Sequence, residues 1–443
     1  MEYWYKNAII YHFFTFGVCN APFENSYKEK NNRIREIEKW IPHIKQMNFN
    51  TVLLSPVFEY KSHGYDTTDY FKIDSRLADN QSFKEVVKTL HYNDIKVVLD
   101  GVLNHCGRDF FAFKDLLKNT ENSNYVNWFS NVDFTKTNSF NDPFCYNTWS
   151  GYDQLPQFNL KNKEVTSYLF EAVQYWIEYF DIDGLRLDAA ECLDQQFIKE
   201  LRSNTTSFKE DFYLMGEVVN SDYRNWVADD KLNSVTNYEL FKGFYSSHND
   251  KNLFEIAHSL KRQFDNNEGI YNYFLPYNFV DNHDQSRIAS LVETPYYLYT
   301  IYILLFTIPG NPSLYYGSEW GIKAIKSLNL DRDIRPYIDI ENVNIEEPSL
   351  QPFIQKLTSI RKSTPSLCHG DYKEVSIEYQ KPFIFKRQLK NQCTYVIINP
   401  NDSDFFINIE NDTAKYRDAL NDEEVDIKNL KINKYWGRIL VSK

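Results

Sequence analysis

Five short segments of the sequence place acidic side chains directly after apolar, β-branched runs. They read SHGYDTTDY (62–70), LDGVLNH (99–105), GLRLDAAE (184–191), MGEVV (215–219) and FVDNHD (279–284). A carboxylate beside a buried strand is costly unless it is paired or functional. Five such segments therefore predict one common site that contains carboxylates, histidines and an arginine.

These residue types favour the hydrolysis of an acetal. That reaction needs a proton donor to the leaving oxygen and a second carboxylate for the developing oxocarbenium ion. The sequence has no HExxH, GxSxG or CxxC motif, which disfavours zinc proteases, serine hydrolases and metal-thiolate sites. The chemistry of a glycosidase fits the residues that are present.

The elements that must position these residues alternate between short strands and longer amphipathic helices. Apolar residues recur at helical spacing over 83–90 and 165–180, whereas the stripe over 37–44 contains Pro42, which is expected to kink or end that helix. A doubly wound sheet is the alternative, but no GxGxxG or P-loop follows a predicted strand. Eight alternating units therefore predict an α/β fold, a (β/α)8 TIM barrel. The eight predicted strands are Ala8–Phe16, Thr51–Phe58, Lys96–Asn104, Gly184–Ala190, Phe212–Val219, Ser234–Leu240, Tyr277–Asp284 and Pro312–Tyr316.

Two stretches depart from this alternation. The connection after the third strand is too long for a plain loop and predicts a short excursion. Beyond the last predicted barrel helix, Leu350–Arg361, alternating runs such as Phe383–Arg387 predict a C-terminal antiparallel β domain. The predicted division is a first barrel part at 1–104, a small excursion domain at 105–160, a second barrel part at 161–364 and a C-terminal β-sandwich domain at 365–443.

Composition excludes several classes of partner. With 61 acidic and 49 basic residues the net charge is -12, which argues against a nucleic acid or an anionic membrane as partner. No secretion signal or membrane-spanning stretch is recognisable, and six scattered cysteines show no disulfide pattern, so a cytoplasmic protein is expected. The 33 Tyr, 33 Phe and 8 Trp fit either an aromatic core or surfaces that stack on sugar rings. The sequence favours no particular oligomeric state.

Taken together, the five segments resemble the sequence regions of the α-amylase superfamily of glycoside hydrolases, glycoside hydrolase family 13. They occur in the same order, and the resemblance extends over residues 5–443. It implies a retaining glycoside hydrolase that acts on α-glucans through a covalent glycosyl-enzyme. Asp188 would be the nucleophile, Glu217 the general acid and then the base, and Asp284 the residue that binds sugar hydroxyls and stabilises the distorted transition state.

The resemblance also assigns residues around these three carboxylates. Arg186, two residues before Asp188 and on the same strand face, would keep that carboxylate ionised. His63, His105 and His283 would form hydrogen bonds with the reacting glucose. Tyr65 would stack beneath its ring. Asp66 is interpreted as scaffolding of the rim, and Asp100 as a partner of Arg186 inside the barrel.

One further stretch bears on the substrate. LPQFNLKNKEV (155–165) resembles the MPKLN stretch of cyclomaltodextrinases and neopullulanases more than the QPDLN of oligo-1,6-glucosidases. This resemblance implies α-1,4 bonds in maltooligosaccharides, cyclodextrins or starch-derived α-glucans, with the oligosaccharide substrate as the expected partner. The alternatives are an α-glucan transglycosylase of the same family and a non-catalytic, carbohydrate-binding relative.

The chain also departs from secreted α-amylases. Glu191 and Cys192 stand where those enzymes have Lys-His. Asn104 matches one ligand of their structural calcium, but no acidic partner stands out in the excursion, so no metal-binding residue is assigned and no cofactor is expected to be required. The run Asp331–Arg335 is interpreted either as a solvated loop, which is favoured, or as a segment that reaches sugars on the acceptor side of the site.

Overall fold

The computed structural model describes residues 3–28, 31–327, 331–409, 412 and 414–443. Within these ranges helices surround a barrel of parallel strands, and a C-terminal sheet domain follows the barrel. The strands are β1 Ile10–Phe14, β2 Thr51–Ser55, β3 Phe58–Tyr60, β4 Thr67–Ile73, β5 Lys96–Gly101, β6 Gly184–Leu187, β7 Tyr213–Gly216, β8 Ser234–Val235, β9 Tyr277–Asn278, β10 Asn311–Tyr315, β11 Asp371–Ser376, β12 Phe383–Leu389, β13 Gln392–Asn399, β14 Phe405–Ile407, β15 Tyr416–Asp418, β16 Glu423–Val425, β17 Leu430–Ile432 and β18 Trp436–Ser442.

Eight of these strands form the barrel, in the order β8-β7-β6-β5-β2-β1-β10-β9. All of their pairings are parallel; Ile10, for example, lies opposite both Thr51 and Ser313. A parallel bridge between Thr236 and Tyr277 joins β8 to β9 and closes the ring. The predicted (β/α)8 barrel is confirmed. In such a barrel the carboxyl ends of all strands meet at one rim, where the side chains of the five segments can converge.

Helices cover the outside of the barrel and bury their apolar stripes against it. Helix α10 differs because it is apolar on all sides. It packs between the barrel and the C-terminal sheet, which explains why the longest apolar stretch of the sequence lies there. No helix in the described part of the chain is long and apolar enough to cross a membrane. The helices are α1 Thr15–Val18, α2 Glu36–Gln46, α3 Asn80–Tyr92, α4 Phe111–Asn119, α5 Lys163–Phe180, α6 Gln195–Phe208, α7 Tyr238–Asn249, α8 Phe254–Phe264, α9 Ile288–Leu291, α10 Tyr296–Thr307, α11 Leu350–Ser363 and α12 Pro365–His369.

Several predicted boundaries were wrong. The strands predicted at 234–240 and 277–284 contribute only two residues each to the ladder, because beyond them the backbone turns and its side chains enter the rim. Of the two alternatives for Pro42, a kink or the end of its helix, the second is wrong, since α2 continues to Gln46. Pro42 lies on the exposed face of α2, where water can satisfy the carbonyl that the missing N–H leaves free, while Trp40 and Ile44 hold the helix against the core.

Two insertions shape the rim. The first is the hairpin β3–β4, whose base is fixed by the fully buried ion pair of Arg76 and Asp74 (2.9 Å). The second is the connection between β5 and α5, which contains α4, short 3-10 turns and isolated bridges such as that between His105 and Gln157. Aromatic residues, among them Phe113, form its core. Both insertions lie beside the site described below.

The C-terminal strands form a six-stranded antiparallel sheet, in the order β11-β12-β13-β18-β15-β16, and a separate pair, β14-β17. The predicted antiparallel β domain is confirmed. Arg387 attaches this domain to the barrel, since its Nη1 atom donates to the carbonyl of Thr307 (2.7 Å) at the end of α10. A second apolar core, which includes Ile397 and Leu440, lies between the sheet and the pair.

Candidate active site

Arg186 lies at the centre of the rim and is almost fully buried. Its Nη1 atom donates to Asp100 (2.8 Å) and to Asp188 (2.9 Å), and its Nη2 atom pairs with Glu217 (2.8 Å). Burial lowers the pKa of Arg186, but the surrounding carboxylates outweigh this and keep that pKa well above its usual value. One guanidinium thus gathers three carboxylates from three neighbouring strands, and the interpretation of Asp100 as a partner of Arg186 is confirmed.

Asp188 follows β6 directly and is 8% exposed. Burial raises the pKa of Asp188 well above its usual range; Arg186 opposes this shift, whereas Glu217 and Asp100 add to it. Arg186 thus lowers the pKa of Asp188 in the expected direction, but burial outweighs its effect. Three carboxylates share one cation, so the cluster retains a proton more readily than an isolated aspartate would.

Glu217 follows β7 and is half-buried beside Asp188. Its Oε2 atom accepts a hydrogen bond from the backbone N–H of Ala189 (3.1 Å), which has left-handed backbone angles (φ +46°). This conformation is uncommon for a residue other than glycine and turns the N–H towards β7. Gly216 is required just before Glu217, because a Cβ there would lie 2.5 Å from Leu232. Backbone geometry thus fixes the distance between the two carboxylates.

Asp284 lies on the other side of the rim and is held by two cationic or polar neighbours. Its Oδ2 atom lies 3.0 Å from Nε2 of His283, and its Oδ1 atom accepts a hydrogen bond from Arg335 (2.7 Å). Burial raises the pKa of Asp284, but attraction to His283 and Arg335 outweighs burial and holds that pKa well below its usual value. The structure therefore keeps Asp284 ionised.

The hairpin β3–β4 forms one wall of the site. The ring of Tyr65 stacks on His283 with centroids 5.7 Å apart, and its hydroxyl donates to Asp100 (3.1 Å) and contacts Nε2 of His283. Nδ1 of His63 accepts a hydrogen bond from the backbone N–H of Tyr65 (3.2 Å). Asp66 accepts hydrogen bonds from Ser62 and so shapes the tip of the hairpin, as expected for rim scaffolding.

His105 is brought to the same wall but is fully buried. Its Nε2 atom donates to the carbonyl of Tyr65 (3.0 Å), and its Nδ1 atom accepts a hydrogen bond from Asn104 (3.3 Å). Burial lowers the pKa of His105 to about 3, so the ring is neutral. In this arrangement both ring nitrogens are engaged with protein, and the ring supports Tyr65.

Sequence reasoning missed three residues of the site. Arg335 lies in the run predicted to be a solvated loop, yet its side chain is 10% exposed and donates to the carbonyl of His283 as well as to Asp284. Tyr238, the first residue of α7, places its hydroxyl 3.5 Å from Glu217. His12 in β1 packs edge-on against His283. A polar residue in the apolar run IIYHFF was the signal for His12, and the charged run 331–335 was the signal for Arg335, although a solvated loop was favoured there; Tyr238 gave none.

At Asn104, the residue that resembles a calcium ligand of the family, both amide atoms are engaged with protein. The amide oxygen of Asn104 accepts a hydrogen bond from Gln157 (3.3 Å), and its amide nitrogen donates to His105. In the ranges that the structure describes, no group of three or more His, Cys, Asp or Glu side chains is arranged to hold a metal ion.

The rim of this (β/α)8 barrel brings three carboxylates onto one arginine and holds a fourth, Asp284, by histidine and arginine. These are the kinds of group that the hydrolysis of a glycoside needs. A family model described as the α-amylase catalytic domain matches residues 18–362. The chain therefore belongs to the α-amylase family of glycoside hydrolases.

Relatives and solved structures give the same picture. A cyclomaltodextrinase from Thermoanaerobacter pseudethanolicus is 31% identical over 370 residues, which are 81% of this chain and 62% of the relative. An intracellular maltogenic amylase from Bacillus subtilis is 30% identical over 81% of this chain and 60% of its own length. The chain thus spans about three fifths of the length of these relatives. A debranching enzyme from Nostoc punctiforme, solved after soaking with acarbose, superposes with a TM-score of 0.80 at 26% identity over 99% of this chain and 98% of its own.

Proposed function

We propose that this protein is a retaining glycoside hydrolase that cleaves α-1,4-glucosidic bonds in maltooligosaccharides, cyclodextrins or starch-derived α-glucans. The observation that carries the proposal is the contact of Arg186 with both Asp188 and Glu217. Retaining enzymes need their two carboxyl groups about 5 to 5.5 Å apart, close enough for one to attack the anomeric carbon while the other reaches the glycosidic oxygen. Two carboxylates that share one guanidinium lie close together, which supports a retaining mechanism.

In the first step Asp188 attacks the anomeric carbon, while Glu217 donates a proton to the departing oxygen. The glycosidic bond breaks, and a covalent glycosyl ester forms on Asp188. In the reactive protonation state of this pair, Glu217 carries the proton, and Asp188 is ionised and paired with Arg186. In the second step Glu217 takes a proton from water, the resulting hydroxide attacks the same carbon, and Asp188 leaves with its charge restored.

The other residues act on the sugar that is attacked. Asp284, held ionised by His283 and Arg335, accepts hydrogen bonds from sugar hydroxyls that strengthen as the ring distorts. His63 and His283 add hydrogen bonds, and Tyr65 lies beneath the ring. His105 acts on the wall of the site, because its hydrogen bond to the carbonyl of Tyr65 positions Tyr65.

Three observations support the substrate class. The stretch 155–165 resembles that of cyclomaltodextrinases and neopullulanases, and the Thermoanaerobacter relative is itself a cyclomaltodextrinase. The Nostoc structure was obtained with acarbose. An intracellular location is part of the proposal and is supported by the name of the Bacillus subtilis relative. No cofactor is required in this mechanism, because every step uses side chains of this chain and water.

Incubation of the protein with maltoheptaose and β-cyclodextrin tests the proposal when products are followed by proton NMR. We expect shorter maltooligosaccharides whose newly formed reducing ends are α-anomers, because two successive displacements retain configuration. The rate of hydrolysis should be the same in the presence of a metal chelator as in the presence of added calcium. First-formed β-anomers would contradict the retaining mechanism. Products longer than the substrate, without net gain of reducing ends, would assign a transglycosylase instead, and binding without any product a non-catalytic relative.

Replacement of Arg335 by methionine tests the role of Asp284. Loss of a charge-assisted hydrogen bond of about 1.5 to 3 kcal/mol should reduce kcat/KM for maltotriose by about 10-fold to 100-fold. The sign of the pH effect follows from the lowered pKa of Asp284. The ionised form is present above that pKa and is lost as pH falls through it, so removing Arg335 should move the acid limb of kcat/KM to higher pH.

Arg332→Met is the matched control for this experiment. Arg332 is exposed and lies over the ring of Phe23, away from Asp284. We expect its pH profile to coincide with that of the wild type. An unchanged acid limb in Arg335→Met would show that Arg335 does not control the ionisation of Asp284.

A further inference from the structure

An aromatic cavity, separate from the catalytic rim, opens where α10 meets the start of β18, on the outside of the barrel. Its volume is about 520 Å³, which lies within the range of small-molecule sites. We call it the α10–β18 cavity. None of its lining residues belongs to the catalytic rim; they are Tyr296, Tyr299, Ser349, Phe353, Lys434, Tyr435 and Trp436.

The aromatic rings of this cavity form two neighbouring groups. Tyr296 stacks on Tyr435 with centroids 5.2 Å apart and an interplanar angle of 19°. Trp436 packs against Tyr299 (5.7 Å) and Phe353 (5.2 Å). Tyr296 is 58% exposed although its ring is large and partly apolar. Tyr299, Tyr435 and Trp436 are half-buried beside it, and Phe353 is buried. A concave site lined mainly by aromatic side chains with a few polar groups is typical of a ligand pocket.

The fold holds these rings in place without a ligand. Tyr296 and Tyr299 are three residues apart on α10 and therefore share one face of that helix. Tyr435 has left-handed backbone angles (φ +53°), and its N–H donates to the carbonyl of Asn401 (3.0 Å). Trp436 is fixed by strand pairing between β18 and β13. A preformed surface loses little conformational entropy when it binds.

The polar groups of the cavity suit a neutral, hydroxyl-rich ligand. Ser349 and Lys434 are exposed at its edge, and no carboxylate lines it. Among the described residues no acceptor lies within hydrogen-bond distance of the indole Nε1 of Trp436, whereas Nε1 of Trp176 donates to a carbonyl. Aromatic faces combined with a few free donors match the two surfaces of a glucose ring, its C–H face and its equatorial hydroxyls.

We propose that the α10–β18 cavity binds a segment of an α-glucan chain, at a site separate from the catalytic rim. The ligand class rests on the proposed function, since the enzyme meets α-glucans as its substrates. Binding at this second site would hold a long chain to the enzyme between cleavage events. It would act on long substrates alone, because a trisaccharide bound at the rim does not extend to the outside of the barrel.

Tyr296→Ala tests the proposal, with Tyr296→Phe and Tyr92→Ala as matched controls. Phenylalanine preserves the stacking ring, and Tyr92, the last residue of α3, is 89% exposed and belongs to neither the cavity lining nor the catalytic rim. Retardation in native gels that contain soluble amylose reports binding, and kcat/KM for maltotriose reports the catalytic rim. We expect Tyr296→Ala to weaken retardation by about 10-fold with maltotriose kinetics unchanged, and both controls to behave like the wild type.

Other results of these measurements would contradict either the second binding site or the proposed function. Retardation of Tyr296→Ala equal to the wild type, with hydrolysis intact, would overturn the second site and leave the proposed function standing. Failure of the wild type to hydrolyse maltotriose or maltoheptaose would instead contradict the proposed function, while a Tyr296-dependent retardation would still support glucan binding in the cavity. A concentration-dependent dimer that Tyr296→Ala abolishes in sedimentation would assign the cavity to contact between two copies and overturn the proposal.

Discussion

Replacing Asp188 by asparagine is expected to reduce kcat/KM for maltoheptaose by about 10⁴-fold or more, with little change in the fold. Asparagine has the size and hydrogen-bonding outline of aspartate, so the contact with Arg186 is weakened without leaving a cavity. What is lost is the negative oxygen that forms the glycosyl ester. The measurement is the steady-state rate of new reducing ends, with circular dichroism to verify folding.

Two further variants separate a nucleophile from a merely structural carboxylate. Asp229→Asn removes an exposed carboxylate outside the site and should have wild-type activity. In Asp188→Ala, azide can occupy the vacated space and displace fluoride from an α-maltosyl fluoride, giving a β-maltosyl azide. Full activity of Asp188→Asn, or rescue that yields an α-azide, would show that Asp188 is not the nucleophile.

Replacing Arg186 by methionine is expected to lower the free energy of unfolding by about 3 to 5 kcal/mol near neutral pH, since it leaves buried carboxylates without their cation. The contacts concerned are those with Asp100, Asp188 and Glu217. In the variant the pKa of Asp188, which burial already raises, should rise further, because Arg186 no longer lowers it. The folded state then binds more protons than the unfolded state, so stability falls as pH rises, and the deficit should shrink as pH is lowered towards about 4.

Urea unfolding followed by tryptophan fluorescence at several pH values measures this effect. Arg417→Met is the control, because Arg417 forms an exposed ion pair with Asp422, and such pairs contribute about 0 to 1 kcal/mol. Arg186→Met combined with Asp100→Asn should recover part of the loss, since one of the unpaired charges is then removed. A stability of Arg186→Met equal to that of Arg417→Met would show that the cluster does not depend on its guanidinium.

The sequence by itself determined the class of fold and the residues of the carboxylate cluster. Alternation of strands and helices is a local pattern; Asp188 and Glu217 immediately follow β6 and β7, and Asp284 lies six residues beyond the end of β9. Because all strand ends of a parallel barrel meet at one rim, chain order alone predicts that these side chains converge. The same reasoning identified Asp100 as a partner of Arg186.

Tertiary structure decided everything that depends on contacts between distant parts of the chain. Arg335 lies in a run of charged residues that looks solvated, and only the folded chain brings it to Asp284, 51 residues away. Burial of Asp188, which raises its pKa against the effect of Arg186, depends on how closely three strands approach. The α10–β18 cavity is lined by residues about 140 positions apart. The number of aromatic residues in the sequence therefore could not show which of them line this cavity and which lie in the core. Periodicity and motifs are local, whereas desolvation, ion pairing and cavities arise from packing. The sequence therefore identified the carboxylates of the site but only part of their environment.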